Sequence, residues 1–248
     1  LSHVCGPFSV PTNLLKIGAS HVSAPLSYII NTSFTQGIFP ETLEVAKVIP
    51  IHKFGQTENS CNYRPISLLS NISKIFEKCM HSRLYSYIEK NRALYDLQFG
   101  FRKQHSTGQA LVSITDCIKT SLDKGNFVGA LFLDLQKAFD TVNQKILLEK
   151  LCIYGVRGKC LDWFRTYLMD RRQFVAIQDS DSETLSTSHG VPQGSILGPL
   201  LFLLYINDFQ MCIRSSVAYH FADDTTVLFH DKSVKKIGSL CPNNWMLS

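Results

Sequence analysis

Apolar and polar positions along the chain alternate with periods that mark out helices and strands. Ser70-Asn71 offers a helix cap, and from there to about Lys90 the residues Ile72, Ile75, Phe76, Cys79, Met80, Leu84, Tyr87 and Ile88 recur at helical spacing. That spacing predicts a long helix with one face in the core. Thr107 to Leu122 repeats the pattern through Leu111, Ile114, Ile118 and Leu122, and Asp123-Lys124-Gly125-Asn126 closes it. Leu26 to Phe34 predicts a further helix, with Pro25 at its start and Gln36-Gly37 as its stop. Lys47 to Lys53 is β-branched with Pro50 inside, the mark of an edge strand, and a polar loop follows over Gly55 to Asn62. Phe127 to Leu135 is a nearly continuous apolar run, which predicts a strand buried on both faces, and Gln136 to Tyr154 returns to helical periodicity. Val217 to Phe221 and Thr225 to Phe229 read as two more strands. Helices alternating with strands imply an α/β or α+β architecture.

Composition narrows the class. A chain of 248 residues that is 45% apolar can bury a sizeable core, which excludes both a disulfide-stapled miniprotein and a disordered segment. A net charge of +5 and a pI near 8.7 lean mildly toward polyanionic partners. The eight cysteines (Cys5, Cys61, Cys79, Cys117, Cys152, Cys160, Cys212 and Cys241) stand singly, without a C-x-x-C pair or histidines at zinc-ligand spacing. They read as reduced thiols of an intracellular protein, with nucleus and cytoplasm both open. The longest apolar stretch, Ile196 to Ile206, is broken by Gly198-Pro199 and falls short of the roughly 20 residues a membrane helix needs, so no membrane partner is expected. The chain opens with Leu1, and Leu1 to Val10 lacks a basic segment followed by an apolar one. No leader is expected, and the sequence reads as a piece of a longer chain. Without repeats or linkers, a single continuous unit is the expectation.

Three features stand out chemically. Asp134 closes the apolar run LFLDL, where a carboxylate is costly to bury unless something positive faces it; a solvated strand end or a helix cap is the alternative. Asp223-Asp224 lies between two strands, where adjacent aspartates also suit a plain hairpin turn. Taken together, Asp134, Asp223 and Asp224 place three carboxylates at the ends of neighbouring strands, and like charges held close must be neutralised by protons or cations. Hard oxygen ligands select Mg²⁺ or Mn²⁺. Two such ions would leave the cluster one unit positive, poised for a triphosphate, and at roughly 3.5–4 Å apart they could stabilise both oxygens of an in-line phosphoryl transfer. The third feature is His189-Gly190-Val191-Pro192-Gln193-Gly194-Ser195, a rigid loop poor in side chains whose backbone could approach a ligand closely.

The ordered blocks VIPIHK (48–53), NYRPISLLSNISKIFEK (62–78), QFGFRKQHST (98–107), LFLDLQKAFDTV (131–142), GVPQGSILGPLLFLLYINDF (190–209) and FADDTTV (221–227) resemble the reverse transcriptases of non-LTR, LINE-like retrotransposons. Even SFTQGIFPETLEVAKV (33–48) is similar to the stretch preceding the fingers in that family. The resemblance implies an α+β right-hand polymerase, with fingers over about 46–125 and an antiparallel palm sheet with packed helices over about 126–248. A 45-residue extension would precede them, and the chain would stop before the thumb.

By the same resemblance, Asp134 would be the motif A carboxylate shared by two Mg²⁺ ions (Mn²⁺ being the alternative), with the Leu135 carbonyl assisting, and Asp223 and Asp224 the motif C pair. Phe139 matches the aromatic gate that excludes a 2′-hydroxyl, a core phenylalanine being the other reading. Gln193 and Gly194 match the loop beside the nascent base pair. Lys53 and Arg64 match the basic residues of the fingers that grip the incoming dNTP. Arg102 and Lys103, with His105, would face nucleic acid, and Asp140 would be structural support. Lys232, Lys235 and Lys236 come too early to match the motif D lysine. The implied activity is RNA-directed DNA synthesis from dNTPs on an RNA template and a DNA primer, with oligomeric state open. A relic fragment that at most binds nucleic acid is the alternative, and an RNA-dependent RNA polymerase or an intron maturase are rivals within the palm polymerases.

Overall fold

A computed structural model of the chain describes residues 10–169, 171–213 and 216–240. In chain order these form α1 (Thr12–Ile17), α2 (Ala19–Gln36), β1 (Val45–His52), β2 (Tyr63–Leu68), α3 (Asn71–Lys90), α4 (Thr107–Asp123), β3 (Phe127–Leu133), α5 (Gln144–Ile153), α6 (Lys159–Leu168), β4 (Arg172–Ile177), β5 (Ser180–Asp181), β6 (Leu185–Ser186), α7 (Gly198–Ile206), α8 (Phe209–Cys212), β7 (Ser216–Phe221), β8 (Asp224–Asp231) and α9 (Val234–Leu240). Where one continuous unit was expected, the chain divides into two compact units interleaved in sequence. One comprises the chain up to Asn91 and Phe139–Leu204; the other comprises Arg92–Ala138 and the chain from Tyr205 onward.

In the first unit, β2, β1 and β4 form a sheet in which β1 pairs antiparallel with β2 and parallel with β4. β1 is therefore an inner strand and not the edge strand that Pro50 suggested. The proline is accommodated because pairing with β4 ends at Val48, and on the β2 side Pro50 lies opposite Pro65, where neither residue has an N–H to donate. The core beside this sheet is aromatic. Trp163 and Tyr167 of α6 stack 5.4 Å apart, and Phe39 meets Trp163, Tyr167 and Phe76 edge to face at 5.3, 5.1 and 6.1 Å. The buried indole N–H of Trp163 donates to Ser33 Oγ at 3.0 Å. Gly37 ends α2 with a φ of +74°, and a Cβ there would stand 2.7 Å from the Lys159 carbonyl oxygen, so only glycine suits this stop.

The second unit is a three-stranded antiparallel sheet in the order β3-β8-β7, covered on both faces. Phe99, Ala110, Tyr219 and Leu228 pack with Ile114 and Ile118 of α4 on one side. Ala218, Val227 and Phe229 pack with Phe209 and Ile237 on the other. β3 is an edge strand with Phe132 76% exposed, where the apolar run had suggested burial on both faces. An unbroken apolar run marks its neighbours only on average; pairing decides which strand lies inside.

The two long helices begin and end within a residue of their predicted limits, α3 and α4 being capped by Ser70 and Ser106 side chains that accept from Ser73 and Gln109 N–H. Pro25 lies inside α2, because His21, whose carbonyl it leaves without a helical donor, is exposed to water. Residues 136–141 are turns, Asn143 bridges to His189, and α5 starts at Gln144 where Asn143 Oδ1 accepts from Lys145 and Ile146 N–H. α1, β2, α6, β4 to β6, α8 and α9 have no counterpart in the periodicity reading. Cys61, Cys79, Cys117, Cys152, Cys160 and Cys212 are free thiols; Cys5, Cys241 and all of Leu1 to Val10 except Val10 lie outside the described residues. No helix among the described residues is long and apolar enough to cross a membrane.

Removing the indole at the centre of the aromatic core leaves a void that its rigid neighbours cannot fill. Trp163→Ala should lower stability by about 3–5 kcal/mol in urea unfolding followed by circular dichroism.

Candidate active site

The carboxylates singled out in the sequence all belong to the second unit. In the antiparallel register of β3 and β8, Leu133 lies opposite Thr225, which brings Asp134 opposite Asp224 one step further along. β7 adds Phe221 to the same cross-strand row, since it pairs with Asp224. Side chains directly opposite one another share a face of the sheet, so Asp134 and Asp224 project to the same side, with Asp223 beside them in the two-residue turn Ala222-Asp223. Asp134 and Asp224 are exposed and Asp223 is half-buried. Among the described residues no Lys or Arg forms an ion pair with any of the three.

The proximity has an electrostatic signature. The Asp224 carboxyl is raised from its ordinary value, first by the desolvation its surroundings impose and then by the negative charges of Asp223 and Asp134. The donor set, three hard carboxylates whose charges push on one another, fits a divalent cation. Among the described residues no group of three or more His, Cys, Asp or Glu stands close enough together to hold a metal ion, the three aspartates included. The buried charge with a facing cation that Asp134 suggested is replaced by a solvated one.

The first unit holds the glycine-rich loop. Gln193 and Gly194 dock on the outer edge of β2, where Ser67 N–H donates to the Gln193 carbonyl at 2.8 Å. Gly194 has a φ of +123°, and a Cβ on it would stand 2.5 Å from the Ser67 carbonyl oxygen. The close backbone approach read from the sequence is thus made to a neighbouring strand. On its other flank the loop is clamped to the turn after Ala138: Val191 N–H donates to the Phe139 carbonyl at 2.8 Å and Gly190 N–H to the Val142 carbonyl at 2.7 Å. Phe139 is half-buried and stacks on Phe202 of α7 at 5.0 Å. A cavity of about 170 Å³ lies between β2 and this loop, lined by Pro65, Ser67, Asp140, Arg171, His189 and Gln193.

Lys53 and Arg64 are both exposed at the end of the β1–β2 hairpin. Lys53 N–H donates to the Asn62 carbonyl, and Ile51 pairs with Arg64, so the two basic side chains share one face of that hairpin. Leu135 is exposed in the second unit, next to Asp134. Lys103 is exposed, whereas the half-buried Arg102 guanidinium turns inward and donates to the Tyr95 and Gln98 carbonyls at 3.1 and 3.4 Å.

Sequence reasoning missed two residues. Glu77 is fully buried at the end of the SKIFEK block; its Oε2 accepts from Ile196 N–H at 2.6 Å and its Oε1 from the Tyr167 hydroxyl at 3.1 Å. Burial pushes its pKa up while the Ile196 N–H and the nearby Arg171 charge pull it down, and the net direction is upward. The carboxylate ties α3 to the segment that joins the glycine-rich loop to α7. Gln98, 2% exposed, is the second, and it bonds to the turn before Asp223. A polar residue on an otherwise apolar helix face, and an amide between apolar neighbours, were the signals available.

The sequence pattern of the family described as "Reverse transcriptase (RNA-dependent DNA polymerase)" matches residues 51–241. The chain belongs to the reverse transcriptase family. Its relatives are of the LINE-like, non-LTR kind: it is 37% identical over 210 residues to the "Probable RNA-directed DNA polymerase from transposon BS" of Drosophila melanogaster, an alignment covering 82% of this chain and 22% of that protein. It is 31% identical to the "RNA-directed DNA polymerase from mobile element jockey" of the same fly, over 84% of this chain and 24% of the relative. The chain thus spans under a quarter of the length of these relatives. Among solved structures, apo telomerase from Candida tropicalis superposes with a TM-score of 0.61 at 12% identity, covering 88% of this chain and 45% of that one, and so shares the fold. Reverse transcriptases as a family use divalent metal ions. Family and fold are those the sequence blocks implied, an α+β reverse transcriptase.

Two outcomes test this geometry. Glu77→Ala strands buried N–H donors and the Arg171 charge, so stability should fall by about 3–5 kcal/mol in denaturant melts, with Glu77→Gln losing less. Because the Asp224 pKa is raised from its ordinary value, its contribution to folding stability falls as pH rises past that ordinary value toward the raised one. Cation binding, which needs the proton gone, strengthens over the same interval. Mn²⁺ titrations followed by electron paramagnetic resonance between about pH 4 and pH 6 should therefore show affinity rising with pH, with a weaker rise in Asp224→Asn.

Proposed function

We propose that this chain carries the catalytic carboxylates of an RNA-directed DNA polymerase that extends a DNA primer on an RNA template with dNTPs. The observation that carries the reading is the register of β3 on β8, whose last pair, Leu133 with Thr225, leaves Asp134 and Asp224 adjoining, beside Asp223, at the exposed end of an antiparallel sheet. Asp134, Asp223 and Asp224 would hold Mg²⁺, with the Leu135 carbonyl as a further oxygen. Two such ions, when bound, supply Lewis-acid stabilisation to both the attacking and the leaving oxygen of phosphoryl transfer.

The remaining roles belong to the chain's own residues. Lys53 and Arg64, exposed on one face of the β1–β2 hairpin, can make charge-assisted bonds to triphosphate oxygens. The Phe139 ring, backed by Phe202, is stiff enough to reject a 2′-hydroxyl by contact alone. Gln193 and Gly194, bonded to β2 through Ser67, present backbone and an amide as a fixed surface for the nascent base pair. Lys103 can contact phosphate; Arg102, turned inward, acts on nucleic acid only by shaping the loop that carries Lys103.

Primer extension on an RNA template with Mg²⁺ tests the reading. Asp134→Ala and Asp223→Ala should each abolish dNTP incorporation, and full activity in either would overturn the assignment. Phe139→Ala should keep dNTP incorporation and raise ribonucleotide incorporation by about tenfold or more, the scale on which a lost steric contact shifts selectivity.

A further inference from the structure

The turn that carries Asp223 is held by a side chain distant in sequence. Ala222, the first residue of that two-residue loop, has a φ of 60°, a left-handed conformation disfavoured for a residue with a Cβ that persists only where neighbours impose it. Gln98 imposes it. Its Oε1 accepts from both Gly100 N–H at 2.8 Å and Ala222 N–H at 3.0 Å, and its Nε2 donates to the Ala222 carbonyl at 3.4 Å. The backbones on either side are bonded reciprocally, Phe99 N–H to the His220 carbonyl at 2.8 Å and His220 N–H to the Leu97 carbonyl at 2.9 Å. Gly100 closes the contact, since a Cβ there would stand 2.1 Å from the Ala222 nitrogen. Asp223 follows Ala222 directly, so the angle at which its carboxylate leaves the sheet is set by the peptide that Gln98 grips.

We propose that Gln98 is a positioning residue for the aspartate pair: its carboxamide fixes the strained Ala222 peptide and thereby the placement of Asp223 and Asp224 against Asp134. The proposal rests on the reading of those carboxylates as a divalent-cation site. A two-residue hairpin loop whose inner amide has no partner samples several geometries, and three mutually repelling carboxylates favour those that spread them apart. The bond to Gln98 opposes that spreading before any cation arrives, which lowers the cation concentration needed to assemble the site. The carboxamide suits this task because it is neutral: a carboxylate at the same place would accept the same N–H groups but add a fourth negative charge beside the three.

The test compares the wild-type chain with Gln98→Met, which matches the side chain in length and removes its hydrogen bonds. Thermal midpoints, Mn²⁺ binding by electron paramagnetic resonance, and primer extension across a Mg²⁺ series below both midpoints are the readouts. The cation concentration for half-maximal binding and extension should rise by about tenfold, with kcat reduced and KM for dNTP little changed, the scale on which supporting groups act on metal sites. A lowered thermal midpoint with unaltered cation dependence and kcat would overturn the proposal, since that is what a purely structural glutamine would give. If the wild type binds no Mn²⁺ and Asp134→Asn behaves identically, the cation-site reading itself fails and the proposal falls with it. Should Gln98→Met not fold, hydrogen exchange of the Ala222 amide in the wild type decides: protection equal to the β7 and β8 ladder is expected, and exchange at the rate of a free loop would overturn the proposal.

Discussion

Three negative charges brought to one end of a small sheet repel one another, and the second unit is built to withstand that repulsion. Pairing of β3 with β8 fixes Asp134 opposite Asp224, and the hairpin from β7 to β8 adds Asp223. Nothing in these local ladders lowers the electrostatic energy, as the raised Asp224 pKa records. The opposing force comes from packing: apolar clusters cover both faces of the sheet away from the carboxylates, so the strands cannot shear or splay without exposing them. Solvent at the open end keeps the charges hydrated, and their oxygens stay available to a ligand.

Glu77 presents the same functional group under the opposite condition. It is sealed from water, and its oxygens are bonded to the Ile196 amide and the Tyr167 hydroxyl with Arg171 nearby. A carboxylate so enclosed has no vacancy for a substrate and serves as a fastener, here between α3 and the start of α7. The glycine-rich loop just before α7 is therefore fixed from three directions, by Glu77 at its end, by β2 at Gly194 and by the turn at Phe139 and Val142. Exposure separates carboxylates that can take part in chemistry from one that cannot.

Much of this was legible in one dimension. The helix over 71–90 and that over 107–123 follow from apolar spacing and a serine cap, because both signals are local and the caps are satisfied as written. The six ordered blocks announced the family, and the three aspartates were marked by their position at strand ends. Pro50 misled because its penalty depends on which side of the strand is paired at that residue, a fact belonging to β2 and β4. Phe132 misled because an apolar run does not say whether a second strand lies alongside. Arg102 carried a charge that suggested nucleic acid, and its guanidinium also donates to two backbone carbonyls a few residues upstream, bonds that no periodicity reveals.

What the sequence alone determined was chemical identity and local conformation: which residues carry negative charge, where helices start, and which glycines allow a positive φ. Tertiary structure decided which of those residues meet, since the bonds from Gln98 to Ala222 and from Glu77 to Ile196 join positions more than a hundred residues apart. Such long-range contacts leave no periodic trace along the chain, because their energy depends on distances that exist only once the sheet and helices have closed around them.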